Sequence, residues 1–202
     1  MRKRSFVRIA AALALGAGFG QAMAQDNSFK IGLILPMTGP FASTGKQLEA
    51  AARLYLAQNG DTVSGKKVVL IVKDDTGAPD VTKRIAQEMV INDKVQVLAG
   101  FGLTPLAFAT APVATQSKTP MVVMAAATSS ITEASPYIVR TSFTVPQVVT
   151  VLADWASKNN IKKVVSLVSD YAPGVATEKY FAQRLEANGG QVVEKLRVPL
   201  RG

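Results

Sequence analysis

The chain has 202 residues, with 23 Lys and Arg against 14 Asp and Glu, and contains neither histidine nor cysteine. Without those two residue types a Ser-His-Asp triad, a Cys-His pair, the usual zinc sites and any disulfide are excluded. Carboxylates remain, chiefly Asp74, Asp75, Asp80 and Asp170, but Asp75 and Asp80 flank Pro79 ahead of a helical segment. Capping and the helix dipole favour Asp there, so structure rather than chemistry is expected of them.

The basic excess is uneven. Arg2, Lys3, Arg4 and Arg8 surround the start of an apolar run from Ile9 to Phe19, and Ala22-Met23-Ala24 follows. This is the pattern of an export leader, with a small-residue cleavage site. The apolar run is about 11 residues, well short of the roughly 20 that cross a bilayer. Residues 1–24 are therefore read as a signal peptide cut after Ala24, which leaves Gln25 first in a periplasmic product with no stable membrane insertion. With no cysteine at the cleavage site, a lipid-anchored product is excluded. The remaining basic residues are scattered without interleaved aromatics, so no nucleic-acid surface is indicated. No cofactor is called for either.

Lys30 to Tyr55 reads as a buried strand, a glycine-proline turn and an amphipathic helix, the first βα unit of an open sheet. Ligands of such sheets sit outside the carboxyl ends of the strands, which places the turn MTGPFASTG where binding or chemistry occurs. That turn is not a phosphate loop, because five residues rather than four separate Gly39 from Gly45 and Gln47 follows Lys46. In the helix, Leu48, Ala51, Ala52 and Tyr55 recur at i, i+3, i+4 and i+7 and are expected to face the sheet.

The same rhythm continues. Lys67 to Val72 is the second strand, and its unbroken apolar centre predicts burial on both faces. A helix follows over about Val81 to Asn92, then a third strand at Val95 to Ala99. Thr104 and Pro105 signal a helix start, with that helix reaching Ser117 and Pro112 kinking it. Met121 to Met124 and Tyr137 to Arg140 supply two more strands. Beyond Arg140 the pattern restarts: Val148, Val151, Leu152 and Trp155 define an inward helical stripe, which makes Trp155 a core residue. Val164 to Val168 is a buried strand, Pro173 to Ala187 a helix, and Val192 to Pro199 a last strand after Gly189-Gly190.

In order, LPMTGPFASTG, DDTGAPD, LAGFGLTP, KTPMVVMAAATS, YIVRTSFT and SDYAPG give the chain a resemblance to type I periplasmic solute-binding proteins, in particular the branched-chain amino acid and aromatic-acid group. The resemblance implies an α/β, doubly wound parallel-sheet lobe at residues 25–140, a hinge crossover at 141–146, and an incomplete second α/β lobe at 147–202. It implies a non-enzymatic component of an ABC importer that hands a small ligand, an amino acid or an aromatic acid, to an inner-membrane permease. A sensor module for a signalling partner and a carboxylate-based enzyme are the alternatives. Such proteins usually continue well beyond this length, so a fragment is expected.

The run Ala125 to Ser129 has small side chains, hydroxyls and amides near a helix start, a setting suited to a carboxylate. By resemblance, Ala126 and Thr128 match positions that hold the ligand's acid group, Ala127 lies between them, and Leu103 with Thr104 matches the contact after the third strand. Helix capping is the competing role for both threonines, and one hydroxyl can serve both. Phe41 in the first turn and Tyr171 after Asp170 are the aromatic candidates for the cleft, with loop packing as the alternative for Tyr171.

Overall fold

The computed structural model describes residues 27–200. The expected leader at 1–24 and the expected amino terminus at Gln25 lie outside the described residues. Strand β1 (Ser28–Leu35) alternates Leu33 and Leu35 to one side with Ile34 to the other, and all three are buried. A strand apolar on both sides belongs in the middle of a parallel sheet. It pairs in parallel with β3 (Lys66–Asp74) on one side and β4 (Val97–Gly100) on the other. Strands β5 (Met121–Val123) and β6 (Ile138–Arg140) extend the sheet in parallel, and the two-residue β2 (Thr62–Val63) folds back antiparallel on the edge of β3.

The resulting order, β2-β3-β1-β4-β5-β6, reverses direction between β1 and β4. A crevice opens at such a point, outside the carboxyl ends of the strands. Helices α2 (Pro79–Ile91) and α3 (Thr104–Ser117) lie together on one face. Their Ile85, Met89, Ala107 and Ala111 pack with Ile34, Leu98, Met121 and Val123. Helix α1 (Ala42–Asn59) covers the other face through Leu48 and Ala52, against Leu33, Leu35 and Ala99. Fully burying one such large aliphatic side chain stabilises the fold by about 1.5–3 kcal/mol.

A second, two-stranded parallel sheet is made by β7 (Lys163–Ser169) and β8 (Gln191–Val198). Helices α4 (Val145–Lys158) and α5 (Ala172–Ala187) pack on it around Ala153, Ala156 and Leu185. Arg184 of α5 grips Asp154 of α4 with two bonds, at 2.6 and 3.0 Å.

Both units use glycine in the first helical turn for the same reason. A Cβ on Gly45 would stand 2.1 Å from the Pro36 carbonyl oxygen, and one on Gly174 would stand 1.9 Å from that of Ser169. The bare backbone lets α1 and α5 start close against the strands they follow.

Several expectations require correction. In α1, Ala51 is exposed and Tyr55 is 65 % exposed; the inward row is Leu48, Ala52 and Leu56, one ridge at four-residue spacing. Beside it an apolar groove of about 620 Å³, lined by Phe29, Ile31, Tyr55, Leu56, Val63 and Leu70, stays open. Strand β3 borders that groove and is therefore half-buried instead of enclosed. In α4 the buried row is Val145, Val149, Ala153 and Ala156. The expected row, Val148, Val151, Leu152 and Trp155, faces outward, with Trp155 56 % exposed. Strand β7 alternates: Val164 packs under the helices, while Val165 and Leu167 are exposed on the uncovered face.

Candidate ligand-binding site

Asp74, the last residue of β3, organises the turn after β1. Its carboxylate accepts the Met37 N–H at 2.9 Å, the Thr38 hydroxyl at 2.5 Å and the Thr76 N–H at 3.0 Å. Burial opposes its ionisation, but these donors, led by Thr38, together hold its pKa below the ordinary carboxylate value. The turn is thereby tied to the neighbouring loop. Phe41 ends it as the half-buried residue preceding α1. Asp75 is fully buried and accepts the Gly77 N–H at 2.7 Å, shaping the loop before α2. The residue at the cap of α2 is Ala78, and Asp80 sits in its first turn.

After β4 the chain turns through Gly100, at φ 117°, and Phe101, at φ 65°, whose N–H donates to the Ile34 carbonyl at 2.9 Å. This places Leu103, buried, at the cap of α3 and Thr104 as its first residue. After β5 the backbone stays alongside: the Met124 N–H donates to Gly100 at 2.8 Å and the Ala126 N–H to Phe101 at 3.0 Å. Ala126 is buried, Ala127 and Thr128 are half-buried, and Thr128 precedes a 3₁₀ turn at Ser129–Glu133.

The two loops meet at Thr104 and Thr128, whose hydroxyl oxygens are 2.9 Å apart. Neither side chain caps its helix. Thr104 is only 1 % exposed, so Thr128 is the outer member of the pair and Thr104 supports it from beneath. Ala126 and Ala127 border the pair, and both have their carbonyls engaged: Ala126 with Arg140 at 3.1 Å, Ala127 with the Val145 N–H at 2.9 Å.

Arg140 did not stand out in the sequence. Its guanidinium, at the carboxyl end of β6, donates to the carbonyls of Ala126 at 3.1 Å, Thr128 at 2.8 Å and Ser129 at 2.9 Å. The available signal was a lone charge closing an otherwise apolar strand, a setting in which charged residues are rarely placed without a partner.

Tyr171 precedes α5 at the end of β7. Burial pushes its phenol pKa up, so it is neutral at physiological pH. Helices α3 and α5 approach each other across the two units. Leu103, Thr104, Ala126, Ala127 and Thr128 are thus gathered at adjoining strand ends, Phe41 lies on the loop after the adjacent strand β1, and Tyr171 lies at the corresponding position of the second unit.

A model of periplasmic binding proteins matches residues 28–202. The chain belongs to the periplasmic binding protein family. Leu/Ile/Val-binding protein homolog 6 of Brucella abortus (strain 2308) is 47% identical over 172 residues, covering 85% of this chain and 44% of that protein. A solute binding protein of an ABC transporter from Rhodopseudomonas palustris BisB5, solved in complex with 3,4-dihydroxy benzoic acid, is 59% identical with a TM-score of 0.85. That alignment covers 86% of this chain and 48% of the other. A second R. palustris solute binding protein, in complex with 4-hydroxybenzoate, is 44% identical with a TM-score of 0.85, covering 87% and 48%. This binding protein chain spans about half the length of the relatives it matches. Membership of the family implies a periplasmic location, and no helix among the described residues is long and apolar enough to cross a membrane.

Proposed function

We propose that this periplasmic binding protein captures a small aromatic carboxylate at the carboxyl ends of β1, β4 and β5 and presents it to the permease of an ABC importer. The observation that carries the reading is the Thr104–Thr128 hydroxyl pair, at 2.9 Å, bordered by the small residues Ala126 and Ala127. A carboxylate replacing solvent over Thr128 accepts a charge-assisted bond, roughly twice as strong as a neutral one. Support for an aromatic ligand comes from the 59% identical relative, whose structure holds 3,4-dihydroxy benzoic acid.

Phe41 and Tyr171 supply the ring contacts in this reading. Residues 25–140 and 147–202 belong to two lobes that close about the crossover at 141–146, and the ligand shifts the equilibrium by its extra contacts in the closed form. The ligand leaves chemically unchanged. The Brucella relative's name favours a second reading, a branched-chain amino acid, which requires an added acceptor for the ammonium group.

Titration calorimetry on the complete mature protein separates the two. Binding of 3,4-dihydroxybenzoate with no response to leucine is the expected outcome; saturable leucine binding alone selects the second reading, and binding of neither rejects both.

A further inference from the structure

We infer that Arg140 is a positioning residue that makes this site selective for anions, by fixing the Ala126–Ser129 loop and by contributing a positive charge that is paired with no carboxylate among the described residues. The inference rests on the carboxylate-binding reading above and names the source of its charge selectivity.

Three observations meet here. The guanidinium donates to three carbonyls of one short loop, those of Ala126, Thr128 and Ser129. A rigid planar fork with several donors can hold such a set in one arrangement, which a lysine ammonium cannot. Thr128 is consequently held at both ends, its carbonyl by Arg140 and its hydroxyl by Thr104. Next, the ion pairs among the described residues engage Arg53, Lys67, Lys73, Arg84, Arg184 and Arg197, and none engages Arg140. Burial pushes its pKa down, yet an arginine stays protonated in proteins, so its charge remains in place.

The third observation is backbone geometry. Among the described residues there are no cis peptides, and in a trans peptide the N–H points away from the C=O. With the carbonyls of Ala126 and Thr128 turned toward the guanidinium, the N–H groups of Ala127 and Ser129 in the same peptide units turn to the opposite side. Neither finds an acceptor among the described residues. A cation on the carbonyl side also polarises each peptide unit, which strengthens its N–H as a donor. The loop therefore turns the Ala127 and Ser129 N–H donors away from the guanidinium and keeps an unneutralised charge one peptide behind them. A carboxylate meeting this surface is attracted by both; a neutral group of the same shape meets the donors alone.

The test compares 4-hydroxybenzoate with its neutral amide, 4-hydroxybenzamide, on the complete mature protein. R140Q loses both the fork and a unit charge close to the ligand, so it is expected to weaken the carboxylate about tenfold more than the amide. R140K keeps the charge but not the fork, so both ligands are expected to weaken by a similar factor with the carboxylate-to-amide ratio preserved. Equal weakening of both ligands in R140Q, or a ratio that collapses in R140K, overturns the inference and leaves Arg140 a structural strut. If R140Q does not fold, the R140K ratio alone decides. Wild-type protein that binds neither compound overturns the binding reading first, and this inference with it.

Discussion

Thr104 and Thr128 stand 24 residues apart in the chain, on loops that leave two adjacent strands, and their hydroxyl oxygens meet at 2.9 Å. Thr104 is the first residue of α3 and Thr128 the residue before a 3₁₀ turn, places where a threonine hydroxyl ordinarily turns back on the backbone, yet the two hydroxyls meet each other. In the proposed site the outer member, Thr128, contacts the ligand, and the buried member, Thr104, holds it in place.

The pair predicts an asymmetric mutational response. Losing a charge-assisted bond costs on the order of 1.5–3 kcal/mol, so T128V should weaken carboxylate binding roughly ten- to a hundredfold. T104V removes only the support, and a neutral hydrogen bond is worth about 1 kcal/mol; its effect should be smaller in affinity and visible as a lower melting temperature. Titration calorimetry beside thermal unfolding separates the two. Equal affinity losses, or none, would place the ligand elsewhere.

Asp74 predicts a pH dependence. Its native pKa is lowered, so its contribution to stability is present above the unfolded carboxylate value and fades as pH falls through the native one. D74N keeps the shape but gives up the charged acceptor for Met37, Thr38 and Thr76. The variant should therefore melt below wild type at neutral pH, with the gap narrowing as the solution is acidified below the carboxylate range. A gap independent of pH would mean that the charge of Asp74 does not stabilise the turn.

Gly45 and Gly174 should be equally intolerant of substitution, one in each unit. With the added Cβ at 2.1 Å from the Pro36 oxygen or 1.9 Å from the Ser169 oxygen, the helix must retreat from the strand. Overpacking of this kind costs about 1–3 kcal/mol, to be read from denaturant midpoints of G45A and G174A. G39A probes a different term: open space surrounds Gly39, and its cost is confined to a positive φ of 74°.

The βα alternation was legible because inner parallel strands are continuous apolar runs, and Ile31 to Leu35 and Met121 to Val123 are short runs bounded by proline and turn residues. The loop at Ala125 to Ser129 was legible from its small side chains. Arg140 was not, since its partners are carbonyls, which every residue carries and which therefore leave no trace in residue type. Strand β2 is two residues long, too short for any period to register. The inward face of α4 was misread for a different reason. Val145, Val149, Ala153 and Ala156 form one helical stripe, and Val148, Val151, Leu152 and Trp155 form another. A helix apolar nearly all round gives the 3.6-residue period no single answer.

That ambiguity leads to the last prediction. The outward stripe of α4 is four large apolar side chains long, and exposed apolar surface of that kind promotes association. Trp155 is the only tryptophan in the chain, so fluorescence excited selectively at tryptophan reports on this stripe alone. In a dilute solution of residues 25–202 alone, a neutral quencher such as acrylamide should reach Trp155 readily, in keeping with its 56 % exposure. As concentration rises, quenching should fall and the sedimentation coefficient should rise together, because association covers the stripe. The double variant V151E/L152E places two charges beside Trp155 without touching the buried row of Val149, Ala153 and Ala156. It should keep its helical circular dichroism, stay monomeric and remain quenchable at every concentration. A Trp155 that resists quenching in dilute, unsubstituted residues 25–202, or a double variant that unfolds, would mean that α4 is rotated and that the bulky row faces inward after all.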